Sequence, residues 1–136
     1  MTDTRRHDPT TVWTVPDAFR RIYSHAVEIP ADTRLLLVSG QIGIAPDGTL
    51  RSGFADQCAQ AIANVEALLA EAGLHVTDIV KATYYLTRAT DLPLLTALRE
   101  QRWSSSTPPA VTTLVVAALA RPELLVEIEV MAAAQR

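Results

Sequence analysis

The chain has 136 residues, 49% of them hydrophobic and 20% charged, with a formal net charge of −3. That length fits one domain at the usual ~100–200 residues each, and the composition is that of a chain with a globular core, not of a disordered one. Lys81 is the single lysine and the arginines are scattered, so the clustered basic face expected of a nucleic-acid binder is missing and no such partner is expected.

Residues 1–15, rich in Thr, Asp and Arg, read as a loose N-terminal segment or an edge segment, and residues 16–136 as a single domain. The opening stretch is polar and lacks the apolar core of a signal peptide. No apolar run reaches the ~18 residues of a membrane span. A cytoplasmic protein without a membrane partner is the default expectation. Cys58 is the one cysteine, which excludes an intrachain disulfide.

Ile22 to Val27 reads as a first strand, bounded by Pro30, and Arg34 to Gly40 as a second with the uniform apolarity of a strand covered on both faces. Pro46 and Asp47-Gly48 signal a turn. From Phe54 to Ala72, apolar residues recur at steps of three and four, the stripe of an amphipathic helix, with Gly73 as its stop. Asp78 to Thr87 alternates, with Val80, Ala82, Tyr84 and Leu86 on one face of a strand. Asp91 to Trp103 reads as a second helix, capped by Thr90 or Asp91, with Pro93 in its first turn. Two strands follow over about residues 110–118 and 124–132, joined through Arg121-Pro122-Glu123.

This order predicts an α+β domain of two layers, with two helices on one face of a four- to five-stranded mixed sheet. On the last strand Glu127, Glu129 and Met131 share the uncovered face, and the two carboxylates lie about 7 Å apart. If the preceding strand pairs on the same side, Val111, Thr113, Val115 and Ala117 join them. A face of that mixed polarity suits a subunit interface containing pockets.

Several pieces occur together in this order: Tyr23-Ser24, Val38-Ser39-Gly40-Gln41-Ile42-Gly43, Asp78 through Thr87, Pro109-Ala110, and Val126-Glu127-Ile128-Glu129-Val130-Met131-Ala132. Over roughly residues 18–133 the chain resembles the RidA (YjgF) family of small trimeric proteins. The resemblance implies a chorismate-mutase-like fold, a homotrimer with sheet faces packed inward, and small-ligand clefts between subunits. It also implies imine or enamine deamination, a hydrolysis carried out without a cofactor. The family's older endoribonuclease label finds no support in the charge pattern here.

Family members that hydrolyse 2-iminoacids hold the substrate carboxylate with an arginine just after Pro-Ala, where this chain has Val111. A valine cannot form the bidentate guanidinium–carboxylate pair. By the same resemblance Thr113 replaces a frequent cysteine, Thr96 an asparagine, and His25 a glutamine, while Tyr23, Ser39 and Glu127 are retained. The expectation is a divergent member that acts on an imine, enamine or related metabolite other than the standard 2-iminoacids. The alternative is a non-catalytic small-ligand-binding or chaperone-like trimer.

Glu127 is the catalytic candidate, a carboxylate able to activate water or protonate a leaving amine; its plain reading is an interface hydrogen bond or ion pair. Tyr23, Ser39 and Thr113 offer hydroxyls for orienting a ligand, against ordinary strand packing. His25 is a candidate for proton transfer, against a hydrogen-bonded strand side chain. Arg51, Arg99 and Arg102 are candidates to replace the missing anion anchor from another direction; their plain and favoured reading is solvated surface arginines. With two carboxylates and no nearby cation, the cleft is expected to prefer a less acidic ligand. No spacing of Cys or His suggests a metal, nothing frames a serine nucleophile, and Gly40-Gln41-Ile42-Gly43 is no phosphate loop.

Overall fold

The computed structural model describes residues 4–135. Six strands and two helices follow in the order β1 (Arg5–His7), β2 (Ala26–Glu28), β3 (Thr33–Ile42), α1 (Phe54–Glu71), β4 (Ile79–Leu86), α2 (Leu92–Trp103), β5 (Ala110–Val115) and β6 (Val126–Gln135). The main sheet runs β3-β6-β4-β5, and β1 with β2 forms a separate ribbon. β6 is antiparallel to both neighbours, whereas β4 and β5 run parallel because α2 carries the chain back between them. The sheet is therefore mixed and the fold two-layer α+β.

The predicted stripe of α1 is the buried one: Phe54, Cys58, Ala61, Ile62, Val65 and Leu69 face the sheet. Gly73, at φ 72°, ends the helix in the left-handed conformation that a side chain disfavours. Ala82, Tyr84 and Leu86 of β4 and Val126, Ile128, Val130 and Ala132 of β6 meet that stripe, with Leu95 and Trp103 of α2, in one core. The other sheet face is uncovered, and Leu35 and Leu37 of β3 and Leu114 of β5 stand exposed on it.

Several boundaries differ from expectation. Residues 22–25 are not strand. The amides of Ile22 and Tyr23 both donate to the Phe19 carbonyl, closing turns, and the strand begins only at Ala26. The segment expected to be loose is tied down from Arg5 on, while residues 1–3 lie outside the described residues. β1 pairs with β2, and the Arg6 guanidinium donates to the carbonyls of Pro108 at 3.2 Å and Thr107 at 2.7 Å. Asp91 does not cap α2; its carboxylate accepts from Arg88 at 2.8 Å. β5 ends at Val115 and β6 runs on to Gln135.

The register also settles which residues share a face. Val111 lies opposite Ala82, Thr113 opposite Tyr84 and Val115 opposite Leu86, all on the helix side. Glu127 lies opposite Tyr85 and Glu129 opposite Thr83, on the open side. Val111 and Thr113 thus do not join Glu127, because the parallel pairing aligns β5 with the core positions of β4.

Candidate functional site

β3 is regular up to Val38, and pairing with β6 resumes at Gln41 after a shift of register. The residues in between, Ser39 and Gly40, form a bulge. The bulge exists for a close approach: a Cβ on Gly40 would stand 2.0 Å from Glu127 Oε2. Glycine here lets the half-buried Glu127 side chain lie across β3. Beside it the Tyr85 hydroxyl donates to Glu129 Oε1. That bond, together with the two carboxylate charges, raises the Tyr85 hydroxyl above the ordinary tyrosine pKa. Lys81 Nζ donates to Thr112 on the same face at 2.7 Å. Glu127 and its surroundings form an open, acidic, partly apolar patch.

On the helix side, at the β5 edge, Tyr23, Val111 and Thr113 line a cleft of about 250 Å³. Its remaining walls are Trp13, Phe19, Ile22 and Arg99. The 19–23 turns bring Tyr23 here, and the amide and hydroxyl of Ser24 anchor the turn to the carbonyls of Pro109 and Pro108 at 2.8 and 2.9 Å. Arg99 is not a surface arginine; only 7% of it is exposed. Its Nη2 donates to the Ile22 carbonyl at 2.8 Å, and the guanidinium carbon lies 4.6 Å from the centre of the Tyr84 ring. Arg51 and Arg102 do lie outward, paired with Gln60 and Glu66.

His25 neighbours the cleft without lining it. Its amide donates to Asp8 Oδ1 at 2.7 Å, its ring Nε2 hydrogen-bonds the Trp13 carbonyl, and its ring meets Tyr23 edge-on with centroids 5.9 Å apart. It pins the strap of residues 8–15 that carries Trp13 to the cleft. Ser39 is exposed beside the bulge, on the Glu127 side by alternation with Leu35 and Leu37. Thr96 is half-buried on α2 and lines no part of the cleft.

Of the residues singled out from sequence, Tyr23, Val111 and Thr113 come together, and His25 stands next to them. Glu127 and Ser39 share the opposite sheet face, and Thr96 stands apart. Trp13 and Phe19 were not expected at the cleft, and Arg99 was expected there only under the less favoured of its two readings. For Arg99 a signal existed: it lies four residues from both Leu95 and Trp103, an interior position on any helix that buries those two. For Trp13 and Phe19 there was none, because only tertiary packing places the strap.

The endoribonuclease L-PSP family model matches residues 16–134. A RutC family protein of Aquifex aeolicus is 50% identical over 66 residues, 48% of this chain and 50% of that protein, so the matched stretch spans half of that relative. A 2-iminobutanoate/2-iminopropanoate deaminase of Escherichia coli is 34% identical over 101 residues, covering 72% of this chain and 78% of the enzyme. Among solved structures, the conserved Rid family protein YyfB of Yersinia pestis superposes with a TM-score of 0.83 at 30% identity, over 96% of this chain and 98% of that one. RidA from an Antarctic Psychrobacter superposes with a TM-score of 0.68 at 32% identity, over 83% and 94%. A match as broad as that to YyfB takes in the strap.

Proposed function

The chain belongs to the RidA/YjgF family, which the endoribonuclease L-PSP model describes, and from that premise we propose that it acts as a homotrimer hydrolysing imines or enamines at pockets between subunits. One observation carries this reading. Glu127 and the Tyr23–Val111–Thr113 cleft lie on opposite faces of a single sheet, so one chain cannot bring them together. A second copy that packs its open face against the cleft edge can. The exposed Leu35, Leu37 and Leu114 on that face give such packing an apolar contribution.

In the assembled pocket Glu127 takes a proton from water as the water oxygen bonds to the C=N carbon. The proton passes to the nitrogen, giving a carbinolamine; Glu127 then relays the proton of the new hydroxyl to the amine, the C–N bond breaks as the C=O bond forms, and ammonia leaves a carbonyl product. Tyr23 and Thr113 present hydroxyls to the polar end of the substrate. Val111 takes the place of the usual arginine, and Trp13, Phe19 and Ile22 make the cleft apolar. Both features support a substrate bulkier than the standard small 2-iminoacids. The same valine favours a second reading, a trimer that binds its ligand without turning it over.

The test generates iminoacids in situ with an amino-acid oxidase and follows their decay. 2-Iminopropanoate should decay only weakly faster than without the protein, and bulky apolar iminoacids markedly faster. Glu127→Gln should lower kcat by about 10²–10⁴-fold, the usual contribution of proton transfer, with assembly intact. A Gln variant as active as the wild type rejects the enzyme reading in favour of the binder.

A further inference from the structure

We infer that Arg99 is the anion anchor of this cleft, and that the ligand it takes is a carboxylate bearing a large apolar group. The inference rests on the reading above that the cleft is the ligand site. It starts from an electrostatic imbalance. Arg99 is 7% exposed, and a buried cation requires a counter-charge or very good hydrogen bonding. Among the described residues, carboxylates pair with Arg20, Arg88, Arg102 and Arg121, and none pairs with Arg99. Its neighbours are the Ile22 carbonyl oxygen and the ring and hydroxyl of Tyr84, a group that stays neutral. Both orient a guanidinium and neither neutralises it.

Orientation is what an anchor needs. Stacking over Tyr84 fixes the plane of the fork, and the bond to the Ile22 carbonyl fixes its rotation, so a carboxylate meets prearranged donors and little side-chain freedom remains to be lost. Glu127 and Glu129 lie on the far face of their own sheet, so within one chain neither competes for Arg99, and the Glu127 of the assembled pocket comes from the neighbouring copy. Val111 and Thr113 of β5 complete the wall beside Arg99. The apolar surface of Trp13 and Phe19 lies across the same cleft, where it receives the body of the ligand. The cation has thus moved from the β5 edge to the α2 wall, which changes how a carboxylate lies in the cleft.

Calorimetry of the intact protein with 3-phenylpropanoate, its neutral amide and propanoate tests this. Wild type should bind 3-phenylpropanoate at least about tenfold more tightly than either comparison ligand, the usual worth of one charge-assisted pair or of a buried ring. Arg99→Met should abolish the preference for carboxylate over amide and leave amide binding in place. Arg99→Lys, which keeps the charge and most of the packing, should retain part of it. Should the Met variant not fold, a crystal of the wild type soaked with 3-phenylpropanoate answers directly: its carboxylate should lie within hydrogen-bond reach of the Arg99 nitrogens. An undiminished preference in Arg99→Met overturns the inference and leaves the cleft as the site, as does a carboxylate seated instead by Arg20 and Arg21 in the wider groove on the other side of Tyr23. Wild type that binds neither aromatic probe overturns the inference and the ligand-site reading together.

Discussion

Gly40 decides where the Glu127 carboxylate lies, because a methyl there would stand 2.0 Å from Oε2. The obstacle is the far part of a flexible side chain, so the backbone need not move. Gly40→Ala is expected to swing the carboxylate out of place, cutting imine hydrolysis by about tenfold or more while the melting temperature falls by only a few degrees, since the bulk of the core is untouched. Activity equal to wild type in a well-folded Ala variant would separate the glycine from the chemistry. Two core groups tie stability to alkaline pH. Burial raises the Tyr84 hydroxyl from 10.0 to about 12 and the Cys58 thiol from 9.0 to about 12, with Arg99 pulling the first the other way and Arg102 and Arg99 the second. Both groups stay protonated in the fold after the unfolded chain has begun to release their protons. Their contribution is therefore complete below the unfolded values of 9.0 and 10.0 and is lost as pH rises toward about 12. Tyr84→Phe keeps the ring under Arg99 and removes one of these titrations. Its melting temperature should fall less steeply than that of wild type between those limits, and parallel curves would refute the assignment.

Helix α1 does more than cover the sheet, because Gln57 on its buried stripe clamps the turn that launches β6. Its Nε2 donates to the Glu123 carbonyl at 3.0 Å and its Oε1 accepts from the Leu125 amide at 2.9 Å. Gln57→Leu fills the space and orphans both backbone groups, at a cost of about 1–3 kcal/mol each. Thermal or urea unfolding should show a destabilisation near the sum, and a neutral substitution would mean that water replaces the clamp. The apolar members of the α1 stripe were legible in the sequence because Phe54, Cys58, Ile62, Val65 and Leu69 keep helical spacing without interruption. Gln57, a polar residue on a buried face, was not. The same blindness hid Arg99: a pattern that scores charged residues as surface overlooks one with apolar neighbours four residues away on each side. Residues 22–25 misled in the other direction, since their alternation fits a strand while the Phe19 carbonyl draws them into turns. The face of β5 could not be read at all. Alternation gives two faces, and only the parallel pairing with β4 decides which one meets the core.

For the whole molecule, the domain as a single chain leaves one sheet face uncovered, with Leu37 70% and Leu35 52% exposed, beside Glu127 and Glu129, the second of which accepts from the Tyr85 hydroxyl. Removing that surface from water is worth about 25 cal/mol per Å² of apolar area. The half-polar character of the face, with Lys81, Thr83 and Thr112 among the leucines, makes a specific interface more plausible than indiscriminate sticking, because polar groups penalise misaligned partners. Light scattering should give a mass three times the 14.8 kDa of one chain. Leu37→Glu places a third carboxylate on the face that already carries Glu127 and Glu129, opposite Met131 in the β3–β6 pairing. It should convert the trimer to monomers at micromolar concentration. Because Glu127 and the cleft can meet only between copies, hydrolysis should be lost with the trimer while each monomer keeps its fold by circular dichroism. A Leu37→Glu monomer that still hydrolyses imines at the wild-type rate would show that one chain suffices, and the intersubunit site would have to be abandoned.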